Sequence, residues 1–216
     1  MTIEIIFWLC LAVLLTFLIS TIQSFILSGL GSDQSVHIFL LNVIKENKYK
    51  LFKYVPRIVN KSFCGGYPLF LHWLLAVIGI KNIKYYELYL NPLMNSLIII
   101  FLAIITLNEI NYIAFKSCLL LSLTPQLYHA FSARNFGISA RSLGILLFFL
   151  LCLSTFIFYQ NNNFTFLFFS ILSAYLIWGT STFALQATFF TSLLHLLIFN
   201  EFILFLSFLL GTIIFF

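Results

Sequence analysis

Long apolar stretches, separated by short polar segments, run through most of the chain. A bilayer core of about 30 Å is crossed by about 20 apolar residues in a helix, so such stretches predict membrane-spanning helices. They lie at residues 3–30, 67–80, 88–107, 112–128, 142–158, 164–178, 185–199 and 202–216. Several are short, which leaves room for tilted, re-entrant or half-spanning helices. We predict an all-α, polytopic transmembrane bundle of about seven or eight spans, forming one transmembrane domain over residues 1–216.

The composition agrees with this class, because the chain is 62% hydrophobic and only 8% charged, too few polar residues to cover a soluble domain. The first stretch is too long for a signal-peptide core and begins with Glu4, so we expect a retained helix. The last residues form a hydrophobic run without a polar tail, and we therefore expect the N-terminal part of a longer protein. The cysteines lack metal-ligand spacing, and we predict neither a disulfide nor a metal site from them.

One long polar loop, residues 31–66, holds six of the eleven basic residues: Lys45, Lys48, Lys50, Lys53, Arg57 and Lys61. The positive-inside rule places such a loop in the cytoplasm. The short loops, with KNIK basic and NEIN acidic, weakly favour the opposite orientation. Both remain open, since in an extracytoplasmic loop the lysines would instead attract an anionic ligand or lipid headgroups.

The start of this loop, DQSVHIFLLNVIKENKYK, has the pattern of an amphipathic helix. Ser32 or Asp33 suits the N-cap, and Leu40, Val43 and Ile44 belong to one apolar stripe. We expect this helix to lie in the membrane interface with its basic end near phosphates.

Asp33 is the only aspartate of the chain, and His37 follows at the spacing that puts both side chains on one helix face. The carboxylate there suits a general base, or a ligand of a divalent cation with the histidine as its neighbour. The competing interpretation is that Asp33 caps the helix and His37 is a surface residue.

Residues 64–75, CGGYPLFLHWLL, open the second stretch. Pro68 suits a first helical turn, while Tyr67 and Trp73 are typical of the membrane interface. His72 lies one turn further in, where a histidine is costly unless it faces protein or a wet cavity. Alternatively, it is an interfacial histidine bonded to the backbone.

Residues 124–141, TPQLYHAFSARNFGISAR, interrupt two apolar stretches with a proline, a histidine, Arg134 and Arg141. Arginines beside a membrane cavity suit phosphate recognition, because the guanidinium forms paired hydrogen bonds. Otherwise they anchor an ordinary loop at the headgroups. The span count puts this segment on the opposite side from residues 31–66. We find no nucleotide-binding fingerprint and expect no nucleic-acid partner.

The order of these elements is a first span ending in GSDQ, an amphipathic helix, a YP-x-x-x-H element and a later P…R…G…R segment. Over about residues 20–150 it resembles the N-terminal half of the GT-C glycosyltransferases, multi-span enzymes that use polyprenyl-phosphate-linked sugars. Protein O-mannosyltransferases, lipid A aminoarabinose transferases and the catalytic subunit of oligosaccharyltransferase belong to this superfamily.

The resemblance implies that Asp33 is catalytic, in a first loop that is extracytoplasmic. His37 would support Asp33. The chain departs from the pattern of some members, because Gln34 rather than a second acid follows Asp33. No acid stands near the two arginines of residues 124–141 either, so members that need no metal are the closer analogy. A divalent cation stays open as a cofactor.

The implied function is transfer of a sugar from a polyprenyl-phosphate-linked donor to an acceptor at the extracytoplasmic face of a bacterial inner membrane. The substrate-binding residues we predict are Tyr67, His72, Lys50, Lys53, Arg57, Arg134 and Arg141. The expected partners are the lipid-linked sugar donor and membrane lipids. The alternative is a non-enzymatic transporter or flippase subunit for a lipid-linked or anionic solute, and a structural membrane subunit is a third interpretation.

Overall fold

A computed structural model of the chain describes residues 2–27, 34–50, 69–79, 89–109 and 140–215. All regular secondary structure in this part of the chain is helical, as the apolar stretches predict. The eight helices described here are α1 (Thr2–Leu27), α2 (Gln34–Glu46), α3 (Phe70–Ile78), α4 (Asn91–Glu109), α5 (Ala140–Asn161), α6 (Phe164–Thr180), α7 (Thr182–Phe199) and α8 (Ile203–Phe215).

Three of these helices, α1, α5 and α7, are long and apolar enough to cross a bilayer. Helices α4, α6 and α8 contain shorter apolar segments. The structure therefore supports an all-helical membrane protein. The α2 helix confirms the helix predicted in the long polar loop, and the predicted span at 112–128 lies outside the described residues.

The α5 helix is the most buried of the three helices that are long enough to span a bilayer. Half of its apolar window (50%) is buried inside the protein, against 17% in each of α1 and α7. The exposed faces of α1 and α7 carry large apolar side chains, among them Phe7, Leu14, Phe190 and Leu197. Since a helix that faces lipid needs no polar outer side, these faces fit contact with acyl chains.

The α3 helix is too short to cross a membrane. Its nine residues span only about 13 Å, less than half the thickness of a bilayer core. Gly79 ends the helix in a left-handed conformation, with φ of 75°, and its N–H donates to the Ala76 carbonyl. The apolar stretch at 67–80 is therefore a half-spanning helix, one of the variants that its length allows.

Helices α4 and α5 begin at the same end of the bundle. Met94, in the first turns of α4, belongs to one apolar cluster with Ile44 of α2 and Leu71 of α3. Ala140 and Leu143, in the first turn of α5, pack against the same cluster. The two helices therefore run parallel. We call this end, where α2 and α3 also lie, the α2 end.

The last three helices alternate between the α2 end and the opposite end. The α6 helix finishes at the α2 end, where a Cβ built on Gly179 would lie 3.3 Å from the Phe70 Cβ of α3. The α7 helix then runs back. The α8 helix starts beside the end of α5, where the Ile203 N–H donates to the Tyr159 hydroxyl at 3.4 Å. We call this the Glu201 end, after the residue in the α7–α8 turn.

The α1 helix packs against α4 through small and hydroxyl side chains. Ala12, Thr16 and Ser20 recur every four residues and are all buried. Asn95 of α4 donates from Nδ2 to the Ser20 Oγ at 3.3 Å, and Ile99 packs against Ala12. Small side chains and interhelical hydrogen bonds are what hold helices together where lipid offers no hydrophobic drive. Because Asn95 lies near the start of α4, α1 also finishes at the α2 end.

Glycines allow two further close helix contacts. A Cβ built on Gly144 of α5 would lie 2.6 Å from the Ser181 Cβ and 2.8 Å from the Ala184 Cβ, at the start of α7. A Cβ on Gly211 of α8 would lie 2.6 Å from the Ala174 Cβ of α6. Both contacts depend on the missing side chain.

We expect Gly211→Ala to destabilise the protein, because the new Cβ would also lie 2.8 Å from the backbone nitrogen of Tyr175 and would force α6 and α8 apart. Overpacking of this kind costs about 1–3 kcal/mol, at least as much as the about 1 kcal/mol by which alanine exceeds glycine in helix propensity. Unfolding titrations in mixed micelles measure the difference.

Gly179→Ala is the matched control, because its Cβ would approach only side-chain atoms, the nearest at 3.3 Å. It should cost less than Gly211→Ala. Equal stability of Gly211→Ala and the parent protein would contradict the close contact between α6 and α8.

Candidate functional site at the α2 end

The α2 helix is docked on the bundle by its apolar stripe. Leu40, Val43 and Ile44 are buried, and Leu41 and Ile44 join the apolar cluster formed with α3 and α4. The apolar stripe that the sequence pattern predicts packs against protein, and the position of α2 relative to the membrane interface stays a prediction. Burial against α3 fixes the orientation of α2, so its polar side is directed outward.

A tight turn follows α2 and presents lysines to solvent. Lys48 and Tyr49 both have left-handed backbone conformations, with φ of 52° and 61°. Each costs about 1 kcal/mol or more for a residue with a side chain, so other contacts must stabilise the turn. The Tyr49 N–H donates to the Ile44 carbonyl at 2.9 Å, and the Asn47 side chain donates to the Lys50 carbonyl at 3.0 Å.

Trp73 of α3 connects this turn to the bundle. Its indole N–H donates to the Tyr49 carbonyl at 3.1 Å, and its ring stacks on Phe70 at 6.2 Å between centroids. The tryptophan that the sequence predicts at the membrane interface therefore contacts the turn after α2. Through it, the short helix α3 positions the backbone that carries Lys48 and Lys50, which are both exposed.

His72 lies on the opposite side of α3 from solvent and is fully buried, with 0% of its surface exposed. Leu71, Leu75 and Ala76 beside it form the apolar cluster of the α2 end. Burial in protein is one of the two environments expected of a histidine this far inside the second stretch, and its role in binding stays a prediction. A direct contact with a ligand would require a path into the bundle at this point.

Arg141 lies in the first turn of α5, at the same end as α2. Its guanidinium carbon is 5.6 Å from the centre of the Phe183 ring of α7, within the range of a cation–π contact. The span count had put residues 124–141 on the side opposite the long loop. The difference arises because α3 does not cross, so the later helices that the structure describes run in the opposite direction to the one expected.

Every lysine and arginine that the structure describes lies at the α2 end: Lys45, Lys48, Lys50 and Arg141. Glu46 is the one acidic side chain described there, whereas Glu4 and Glu201 lie toward the other end. Such an arrangement creates a positive potential over one end of the bundle. It suits binding of an anion and offers no described pair of carboxylates for acid–base work.

Several predicted site residues lie outside the described residues: Asp33, Lys53, Arg57, Tyr67 and Arg134. His37 belongs to the first turn of α2, and its side chain is likewise outside the description. Of the predicted set, the structure therefore brings Lys50, His72 and Arg141 to one end. Their roles, and those of the other predicted residues, stay predictions.

A polar cluster at the Glu201 end was not predicted. The His195 Nε2 lies 3.7 Å from a carboxylate oxygen of Glu201, and the Tyr159 hydroxyl hydrogen-bonds to Glu201. His195 stands in the last turn of α7, and Glu201 follows its C-cap residue Asn200. The sequence HLLIFNE contains a signal for the pair, because a histidine near a helix end and an acid just beyond it meet across the turn.

Comparisons with protein-family models, with curated proteins and with solved structures found no significant match to this chain. Its function must therefore be inferred from the geometry and chemistry of the chain itself.

The parallel α4 and α5 predict which positions share a side of the membrane. In a variant without the four native cysteines, Lys50→Cys and Thr182→Cys should react with an impermeant thiol reagent from the same side, since both positions are exposed at the α2 end. Asn162→Cys, exposed in the α5–α6 turn, should react only from the other side. Reaction of Lys50→Cys and Thr182→Cys from opposite sides would contradict this arrangement.

Proposed function

We propose that the protein is a multi-pass enzyme of the bacterial inner membrane, a GT-C-type glycosyltransferase that uses a polyprenyl-phosphate-linked sugar. The observation that supports the proposal is the collection of cations at the α2 end. Lys50 and Arg141 come from distant parts of the chain and lie at one end. A phosphate-bearing lipid donor needs such positive charge at the membrane surface.

The proposed reaction is an inverting displacement with Asp33 as general base. Asp33 takes the proton of an acceptor hydroxyl, whose oxygen attacks the anomeric carbon of the sugar. The bond from that carbon to the phosphate oxygen breaks, and polyprenyl phosphate leaves with the electron pair. Asp33 directly precedes the first residue of α2 in the sequence, and the proposal gives it the role of the base, with His37 supporting it.

The cations have a specific task in this reaction. Negative charge grows on the phosphate as the bond breaks, and positively charged side chains that are already in place stabilise it. We assign this task to Lys50 and Arg141, with Lys53, Arg57 and Arg134 as further candidates. Tyr67 and His72 would shape the sugar-binding region at the start of α3.

The side of the membrane on which the α2 end lies distinguishes the proposed transferase from a transporter or flippase subunit. The proposed transferase acts at the extracytoplasmic face, so it requires the α2 end outside. The positive-inside rule predicts the α2 end inside, and the position of Arg141 adds to that argument. A cationic end in the cytoplasm favours the second candidate, a transporter or flippase subunit that gathers a lipid-linked or anionic solute there.

Asp33→Asn should reduce sugar transfer by at least 100-fold, because the amide cannot accept the acceptor proton. The assay uses the full protein in proteoliposomes with a labelled polyprenyl-phosphate sugar. Glu4→Gln, which removes an acid from the exposed start of α1, should leave transfer unchanged and serves as the control.

Transfer by Asp33→Asn at the parental rate would refute the catalytic assignment. The side from which the exposed Lys50→Cys reacts tests the same proposal without a substrate, since reaction only from the cytoplasm excludes an extracytoplasmic transferase site at this end. That outcome would leave the transporter or flippase subunit as the function to pursue.

A further inference from the structure

The turn after α2 has a feature that sugar transfer does not require. Together with the last two residues of α2 it carries three lysines and one glutamate over residues 45–50. Its backbone accepts a hydrogen bond from the Trp73 indole of α3 and another from the Asn47 side chain within the turn. Lys48 and Lys50 are exposed, and Lys45 is half-buried. Lysines on a helix that contacts only lipid would move with the bilayer surface. Here the packing of the protein holds the lysines at one depth relative to the bundle.

The contact between Trp73 and Tyr49 indicates the depth of these lysines relative to the membrane. An indole with its N–H bonded and its ring on an apolar helix is typical of the boundary between acyl chains and headgroups. Trp73 donates a hydrogen bond to the Tyr49 carbonyl. The backbone of the turn that carries Lys48 and Lys50 therefore lies next to that boundary. Toward the other end of α3, Val77 and Ile78 are exposed apolar side chains, at 51% and 61%, which suit lipid tails.

We propose that the α2–α3 corner, formed by Lys45, Lys48, Tyr49, Lys50 and Trp73, is a contact site for the headgroups of anionic phospholipids of the surrounding bilayer. The apolar stripe of α2 faces protein, and Lys48 and Lys50 in the turn that follows it are exposed. Lysine stems reach several ångströms along the apolar boundary and place their ammonium groups at phosphate level. Charge complementarity therefore selects an anionic lipid over a zwitterionic one.

The contact shares Lys50 with the proposed donor site but does not rest on sugar transfer. It concerns bulk phospholipid and holds for either orientation of the α2 end. Lipid preference is measured without any sugar donor, so failure of one proposal is distinguishable from failure of the other.

The test uses the full chain in nanodiscs, with Trp8→Phe and Trp178→Phe leaving Trp73 as the sole tryptophan. Brominated phosphatidylglycerol and brominated phosphatidylcholine compete to quench its fluorescence, which gives a relative binding constant at this corner. We expect a clear preference for phosphatidylglycerol that weakens as sodium chloride rises. The Lys48→Gln/Lys50→Gln double variant should lose roughly 30-fold of that preference at low ionic strength.

Glu46→Gln is the control of opposite sign, because it removes the one described acid at the corner, and it should raise the preference about 5-fold. Spin-labelled lipids repeat the measurement on the protein with all three tryptophans. An unchanged preference in the double variant would overturn the proposal. So would selective displacement by inorganic phosphate beyond that by chloride at equal ionic strength, which would indicate a discrete phosphate pocket instead.

Discussion

The directions of the later helices depend on the shortness of α3. The nine residues of α3 cannot carry the chain across a hydrocarbon core, so α3 enters the bundle without crossing it. The chain therefore starts α4 at the end where α1 finished. From that point α4 and α5 run parallel, and Arg141 comes to lie beside α2 instead of opposite it.

Lateral packing of the helices follows a second constraint, since apolar side chains gain nothing by leaving lipid for protein. Hydroxyl groups and glycines therefore occupy the contacts that hold α5 to α8 together. The Thr155 and Ser170 hydroxyls meet at 2.8 Å between α5 and α6, and Trp178 donates to the Thr212 Oγ1 at 2.9 Å between α6 and α8. Each bond of this kind contributes about 1 kcal/mol or less, and the close backbone approach at Gly144 and Gly211 adds van der Waals contact between the helices.

Hydropathy and helical periodicity were enough to predict the helices but not their directions. The stretch at 164–178 became Phe164–Thr180, and the one at 202–216 became Ile203–Phe215, because length and apolarity alone decide where a membrane helix lies. The place of α3 in the bundle depends on its packing against α2 and α4, and these contacts are distant in sequence. The same limit applies to the site, since the sequence marked His72 and Arg141 separately and only the packing puts both at one end.

The uneven distribution of charge connects this topology with the proposed binding of lipid. A protein with so few charges has four described cations at one end, at the side of the bundle that also holds the strained turn of Lys48 and Tyr49. Two left-handed residues in succession persist only where surrounding contacts compensate their cost, and here Trp73 and Asn47 supply those contacts. The proposed contact with phosphate-bearing lipid would explain why lysines stand on this turn.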